Sequence, residues 1–400
     1  MVNVAVLGYG TVGSGVVEVL LKNNSHLSRR AGEKVNLKYV LDLRDFPGDP
    51  VEKILVHDFQ TIVNDPEIRV IAEAMGGIEP AYSFAKAALE KGISFCTSNK
   101  ELVEAKGAEL IELAKENNAN FFFEASVGGG IPVIRPMFAC LTADHFDEIS
   151  GILNGTTNYI LTKMDKEGLA FPDVLKEAQD KGYAERNPEA DVEGHDAGRK
   201  IAILASLANE KQVSFADIPM EGITKITSAD FAYAKALDAS IKLLGTERKK
   251  DGKTYAMVAP FLVHSDDPLY AVDGVFNAVK LHGDMLGNVM FYGKGAGKHA
   301  TASAVVSDIV SAAKNPGRHV PILWSQEKLQ LADAKEYPFR FLVRLEGEAD
   351  TAAFGNVEAV KAEGVTGETA FVTEEMTEKK LEEAIAASGA SLIHRIRLGW

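Results

Sequence analysis

The sequence has almost no cysteine: Cys96 and Cys140 are the only two in 400 residues. Two thiols make no disulfide framework, and no Cys/His set has the spacing of a zinc site. Each reads as a small buried hydrophobe. Basic residues are also short, since 43 Lys and Arg against 57 Asp and Glu leave a formal charge of −14. A protein that coats nucleic acid or an anionic membrane needs a basic surface to offset phosphates, so neither partner is expected. One local cationic pocket is still compatible with that sum. Long apolar runs are missing as well. Val2-Asn3-Val4-Ala5-Val6-Leu7 is too short to span a bilayer and carries no charged leader or cleavage site, which makes the cytoplasm the expected location.

What is present is an ordinary folding composition, 46% hydrophobic and 25% charged, in a length that accommodates about two to four domains. The first 130 residues alternate apolar runs (Val2–Leu7, Leu37–Leu41, Val70–Met75, Ile93–Thr97, Asn120–Phe123) with helical patterns (Val12–Leu21, Pro80–Lys91, Leu102–Asn117). That alternation predicts right-handed crossovers and a doubly wound, mostly parallel sheet. Beyond the Gly128-Gly129-Gly130 turn the pattern predicts an α+β domain. Its strands lie near Glu148–Leu153 and Thr254–Val263, and its helices near Pro172–Lys181, Asp196–Ala208 and Ala229–Leu244. A second glycine cluster, Gly293-Lys294-Gly295-Ala296-Gly297, precedes a helix over Ala302–Ala313 that returns the chain to the first domain. The tail carries strands at Phe339–Leu345, Thr369–Thr373 and Ser391–Leu398 around a helix at Thr377–Ala387.

Gly8-Tyr9-Gly10-Thr11-Val12-Gly13 lies between the first strand and the first helix. Glycines at those positions permit the tight turn, the approach of a pyrophosphate to backbone N–H groups, and close packing of helix on strand. The fold class is therefore α/β: a Rossmann-type domain over 1–135, completed by about 293–325, an α+β catalytic domain over 136–292, and a small α+β subdomain over 337–400. Strand two ends in Asp42-Leu43-Arg44-Asp45. An acid there suits the ribose 2′-hydroxyl of NAD, and Arg44 suits the 2′-phosphate of NADP. Asp42 and Arg44 point to one face, so both cofactors stay open, with NADP preferred.

Lys100 directly follows the Ile93–Thr97 strand and aims at the crevice where such sheets bind ligands. The richest stretch is 178–200. There Glu185 and Asp191 sit in a loop punctuated by glycine and proline, and Asp196 and Lys200 stand four apart on one face of an apolar helix. Burial lowers a lysine pKa and neighbouring carboxylates raise it, and a lysine so tuned can protonate a carbonyl oxygen as it becomes an alkoxide. Glu185 and Asp191 suit a substrate ammonium. His195 has no nucleophile to serve and reads as a residue at a helix start.

The run 178–200 resembles the signature of the homoserine dehydrogenase family in Ala178, Gly182, Asn187-Pro188, Asp191, Gly194, Asp196 and Lys200. Gly8–Gly15, Glu124–Pro132, Gly151–Tyr159 and Phe291–Gly297 are similar to other motifs of that family, so the resemblance covers about 1–325. It implies reversible NAD(P)-dependent interconversion of L-homoserine and L-aspartate 4-semialdehyde, on the route to threonine, methionine and isoleucine. It also implies roles: Lys200 as proton donor with Lys100 beside it, Glu185 on the substrate amino group, Asp191 and Asp196 in the supporting network. Thr11, Val12, Lys100, Gly182 and Gly297 would touch the cofactor. A monovalent cation, usually sodium, would lie on carbonyls of Glu124, Val127, Gly129 and Ile131. Homodimers or homotetramers are implied, and the tail resembles a shortened ACT domain. The sequence alone leaves two rivals: another Rossmann oxidoreductase acting on a small amino-acid-derived aldehyde, and a dinucleotide sensor without catalysis.

Overall fold

Val2–Leu7 forms β1 with every residue buried, as the apolar run predicts, and the chain turns at Gly8 into α1 (Thr11–Lys22). There follow α2 (Asn24–Ala31), β2 (Val35–Leu41), β3 (Leu55–Val56), α3 (Phe59–Val63), β4 (Ile68–Glu73), α4 (Ala81–Glu90), β5 (Ser94–Thr97), α5 (Lys100–Glu116), β6 (Phe121–Phe122) and α6 (Ile134–Ala139). The six strands pair in the order β3-β2-β1-β4-β5-β6, and every pair is parallel. The strand order reverses direction between β1 and β4, so a crevice opens beyond their carboxyl ends, next to Gly8.

The chain continues through β7 (Phe146–Ile152), α7 (Gly155–Glu167), α8 (Phe171–Asp180), α9 (Glu189–Val192), α10 (His195–Asn209), β8 (Lys211–Gln212) and α11 (Ser228–Ala236). Four long strands come next: β9 (Ala239–Lys250), β10 (Lys253–His264), β11 (Phe276–Gly283) and β12 (Gly287–Lys294). After α12 (Lys298–Lys314) and β13 (Ser325–Lys328), the tail adds β14 (Phe341–Glu346), β15 (Val357–Ala359), β16 (Glu368–Thr373), α13 (Glu378–Ser388) and β17 (Leu392–Leu398).

The computed structural model describes residues 1–399. They fall into two units, Met1–His145 with Ala202–Phe215 and Phe291–Leu329, and Phe146–Ile201 with Ala216–Met290 and the chain from Gln330. In the first unit α12 packs on α1 so closely that a side chain on Gly15 would lie 2.8 Å from the Lys298 carbonyl oxygen. The second carries a nine-stranded sheet, ordered β12-β11-β7-β9-β10-β17-β14-β16-β15. The tail makes no sheet of its own. Its last strand pairs parallel with β10, Phe261 opposite Arg397, and Phe261, Phe339, Phe341, Phe354 and Phe371 share one buried cluster.

Two expectations fail. The helix over Ala229–Leu244 stops at Ala236, and Ala239–Lys250 is a strand instead. Asp238 turns the backbone at φ 51°, and the strand is buried on both faces from Ala239 to Glu247, so no alternation betrays it. The helix α7 and the strands β11 and β12 carry no signal in the sequence pattern described above. Cys140 is exposed rather than buried, because it lies just past the end of the short α6, whereas Cys96 is buried in β5.

Candidate active site

The dinucleotide loop meets the requirements read from its glycines. Gly8 has φ 88°, and a side chain there would press on Met75 and Ala74 at the end of β4. A Cβ on Gly13 would stand 1.8 Å from the Gly8 carbonyl oxygen, so only glycine lets α1 close on β1. Gly10 faces open space and caps α1, leaving the first N–H groups of Thr11 and Val12 without intrahelical partners. This geometry suits a pyrophosphate. Glu73 closes the neighbouring wall: its buried carboxylate accepts from the Met75 and Gly76 N–H groups and from the Thr97 hydroxyl. Asn99 then caps α5 through the Leu102 N–H, which sets Lys100 as the first residue of that helix.

At the end of β2 the acid and the base are partners, not alternatives. Arg44 grips Asp42 with Nε–Oδ1 at 2.9 Å and Nη2–Oδ2 at 3.0 Å. The Tyr9 N–H donates to Oδ2 at 2.8 Å, and the Arg44 N–H to Oδ1 at 3.0 Å. The guanidinium and these N–H groups hold the Asp42 carboxyl far below the usual carboxylate range. Both of its oxygens are engaged, while the Arg44 side chain, 62% exposed, lies over the Phe46 ring.

In the second unit one amide gathers the carboxylates of the 178–200 run. Asn154 Nδ2 donates to Asp191 Oδ1 at 2.7 Å and to Asp196 Oδ2 at 2.9 Å. Its Oδ1 caps α7 by accepting the Thr157 N–H at 2.9 Å. Lys200 Nζ donates to Asp196 Oδ2 and to the Leu153 carbonyl oxygen, both at 2.7 Å. Two of the three ammonium protons are thereby fixed in direction in a side chain only 12% exposed. Asp196 stands in the first turn of α10, where the helix dipole favours an anion. Glu185 is exposed, and among the described residues no hydrogen bond joins its carboxylate to this cluster. Gly182 makes the left-handed turn, φ 73°, after α8. Asn154 and Glu73 are the residues that the sequence pattern alone does not single out. The amide lies 37 and 42 residues from its two carboxylates, and only the GTT that follows Asn154 hints at a helix cap.

The triple-glycine turn belongs to the first unit. Gly128 and Gly129 have φ 72° and 56°, and a side chain on Gly129 would strike the Gly295 carbonyl oxygen at 2.3 Å. Gly297, with φ 115°, caps α12 close by in sequence. The Glu124 carboxylate does not face outward: it accepts the Val133, Ile134 and Arg135 N–H groups at 2.7, 2.9 and 2.8 Å. Asp308 receives the Glu124 N–H and pairs with Arg135, and burial pushes its carboxyl up to about 7 against the pull of that guanidinium. Among the described residues, no hydrogen-bond donor meets the carbonyl oxygens of Val127, Gly129 or Ile131, all three buried, whereas the Glu124 carbonyl opens the 3-10 turn Glu124–Ser126. Among the described residues, no group of three or more His, Cys, Asp and Glu side chains could hold a metal ion, and no helix is long and apolar enough to cross a membrane.

Known proteins match this chain over most or all of its length. Residues 132–310 fit the homoserine dehydrogenase family profile, and residues 8–124 fit that of the homoserine dehydrogenase NAD binding domain. The homoserine dehydrogenase of Bacillus subtilis is 42% identical over 318 residues, 78% of this chain and 73% of that protein. The crystal structure of a homoserine dehydrogenase from Thiobacillus denitrificans superposes with a TM-score of 0.90 at 33% identity, covering 99% of this chain and 98% of that one. A hyperthermophilic archaeal homoserine dehydrogenase in complex with NADPH superposes with a TM-score of 0.66 at 29% identity, over 80% of this chain and 99% of that one. With two family profiles spanning both the glycine loop and the lysine–carboxylate cluster, the chain belongs to the homoserine dehydrogenase family.

Proposed function

We propose how the residues divide the work of the family's reaction, the reversible NAD(P)-dependent interconversion of L-homoserine and L-aspartate 4-semialdehyde. The bound dinucleotide supplies or accepts the hydride. Lys200 gives a proton to the carbonyl oxygen during reduction and takes it back during oxidation. The observation that carries this assignment is its tether: Asp196 and the Leu153 carbonyl hold two protons of the ammonium and leave the third for substrate. Lys100 helps to polarise the same oxygen. Asp191 and Asp196, aligned by Asn154, and Glu185 from its exposed loop bind the substrate ammonium. The first turn of α1, from Gly10 through Gly13, takes the pyrophosphate, with Gly182 and Gly297 completing the cofactor contacts.

Arg44 favours NADP, because Asp42 is already neutralised and orients the guanidinium rather than waiting for a ribose hydroxyl. A monovalent cation on the carbonyls of Glu124, Val127, Gly129 and Ile131 is supported by the buried Val127, Gly129 and Ile131, whose carbonyl oxygens meet no donor among the described residues, since a hard cation selects oxygen. In the tail, β17-β14-β16-β15 is the spatial order fourth, first, third, second of a βαββαβ unit. The first helix is reduced to the single turn Ala352–Phe354, which supports a shortened ACT-like region. We place the enzyme in the cytoplasm as a homodimer or homotetramer.

The test is steady-state turnover of homoserine by wild type and Lys200→Ala, with NADP and NAD compared. The variant is expected to lose about 10²–10⁴-fold in kcat while still quenching and shifting NADPH fluorescence. Turnover near wild type in Lys200→Ala would remove the proton-donor assignment.

A further inference from the structure

Two ion-paired clusters tie the tail to the rest of the second unit, and they are wired to different parts of it. The first is wholly structural in its connections. Arg344 on β14 binds Asp230 at 2.6 Å and Glu368 at 2.9 Å, and Asp230 also accepts from His394 and from the Thr227 N–H that begins α11.

The second cluster leads to the 178–200 run. Arg395 and Arg397, two apart on β17 and so on one face, both reach Glu221, at 3.2 and 2.9 Å, and both reach Glu378 at the start of α13. The Glu221 N–H donates to the Val258 carbonyl oxygen of β10 at 2.8 Å. The next residues lie directly on the turn after α9. A side chain on Gly222 would stand 2.4 Å from the Val192 carbonyl oxygen and 2.7 Å from the Glu193 Cα. The Ile223 N–H donates to that Val192 oxygen at 2.9 Å, and the Thr224 hydroxyl to Glu193 at 3.0 Å. From the other side, a Cβ on Gly194 would meet Val258 at 2.9 Å. Residues 221–224 therefore form a strap, anchored on β10 and β17, over the segment Val192–Gly194. That segment joins Asp191 to Asp196, the two carboxylates that Asn154 aligns.

We infer that Arg395 and Arg397 are positioning residues for the substrate-binding turn, acting through Glu221 and the strap that follows it. The inference rests on reading Asp191 and Asp196 as the acids that face the substrate ammonium. It gives the tail a part in the reaction that needs no effector. Loosening the strap lets the 191–196 segment relax, and a misplacement of about 1 Å at a substrate-positioning group is enough to cost an enzyme tenfold or more. The strap belongs to the second unit and the dinucleotide loop to the first, so the loss is expected on homoserine and not on the cofactor.

The test uses the full chain with Glu221→Gln, Glu221→Asp and Glu368→Gln, the last breaking the other cluster. Glu221 is 31% exposed on its side chain, so Gln is accommodated there. Expected is a rise of about tenfold in KM for homoserine in Glu221→Gln, with the NADPH dissociation constant unchanged and partial recovery in Glu221→Asp. Glu368→Gln is expected to lower Tm while leaving that KM at the wild-type value. The inference is overturned if Glu221→Gln keeps the wild-type KM, or if both Gln variants change Tm and KM in parallel. Absence of turnover in the wild type would overturn the reading of the site itself, and the strap's role with it.

Discussion

Asn154 gives the sharpest test of the site, because one side chain performs two separable tasks. Its Oδ1 caps α7 through the Thr157 N–H, and its Nδ2 binds both Asp191 and Asp196. Asn154→Ser keeps an oxygen suited to capping but is too short to reach two carboxylates, whereas Asn154→Ala removes both functions. A hydrogen bond to a charged group contributes roughly 1.5–3 kcal/mol, so losing the amide is expected to cost about 2–5 kcal/mol, allowing for the non-additivity of two bonds from one nitrogen. Losing the cap as well adds about 1 kcal/mol in the alanine variant. At roughly 2–4 °C per kcal/mol for a unit of this size, Asn154→Ser should melt about 5–15 °C below wild type, and Asn154→Ala a few degrees lower still. The kinetic effect should exceed what stability explains. Asp196 loses its second tether, only the Leu153 carbonyl still directs Lys200 independently, and kcat/KM for homoserine falls on the order of 10²-fold at a temperature where the variant is folded. The assay is a thermal melt beside steady-state kinetics below the melting transition. A folded Asn154→Ser within threefold of wild-type kcat/KM would refute the claim that this amide organises the site.

Three further outcomes follow from the geometry. Gly10→Ala, whose new methyl enters open space, should fold with near wild-type Tm but lose NADPH binding, whereas Gly13→Ala, 1.8 Å from the Gly8 oxygen, should fail on stability; equal behaviour of the two would contradict the separate roles of these glycines. Arg44→Ala should raise KM for NADP about 10–100-fold and leave KM for NAD nearly unchanged, since only the former has a 2′-phosphate to lose; equal changes with both cofactors would exclude Arg44 as the discriminator. Burial would raise the Asp230 carboxyl, but His394 and Arg344 override it and hold it below its ordinary 3.8. A depressed acid stabilises the folded state above its ordinary value and loses that contribution as pH falls through the lower folded value. The Tm gap between wild type and Asp230→Asn should therefore be widest near neutrality and close below about pH 4, and a gap independent of pH would show that the charge contributes nothing.

Much of the first unit was legible because its determinants are local. Gly8, Gly10 and Gly13 act within six residues of chain, and strand follows helix at spacings the apolar runs reveal. The Asp196–Lys200 pair is legible for the same reason, as one turn of helix sets it. Asn154 was not, because its partners lie in distant sequence and the pairing of β7 with β9 and β11 fixes where its backbone stands. The strand β9 was hidden by burial on both faces, which removes the alternation that identifies strands and leaves an apolar run that also suits a helix. At strand two the sequence supplied both residues but not their relation. Asp42 and Arg44 looked like competing signals for two cofactors, and their direct pairing turns the acid into support for the base.

The tail shows why an appended segment can be hard to tell from an integral one. Its own fold is a local unit, four strands in the order expected of βαββαβ with one helix nearly lost, and its helix and three of those strands were visible in the sequence, the short Val357–Ala359 strand not. Yet such a unit has two open edges, and unpaired edge groups favour further pairing. Here one edge, β17, is satisfied by β10, which puts Phe261 opposite Arg397 and lets Phe261, Phe339 and Phe341 bury one another across the junction. The same parallel register sets Arg395 and Arg397 at the height of Glu221. A strand pairing that conceals apolar rings thus also delivers two guanidiniums to the strap over Val192–Gly194, and the two effects cannot be varied independently by shifting the strand. A slip of one residue would turn both arginines to the opposite face and bring their apolar neighbours Ile396 and Leu398 to Glu221 instead. Selection for a buried core therefore also maintains the alignment of the strap, which is the physical sense in which this tail belongs to the second unit.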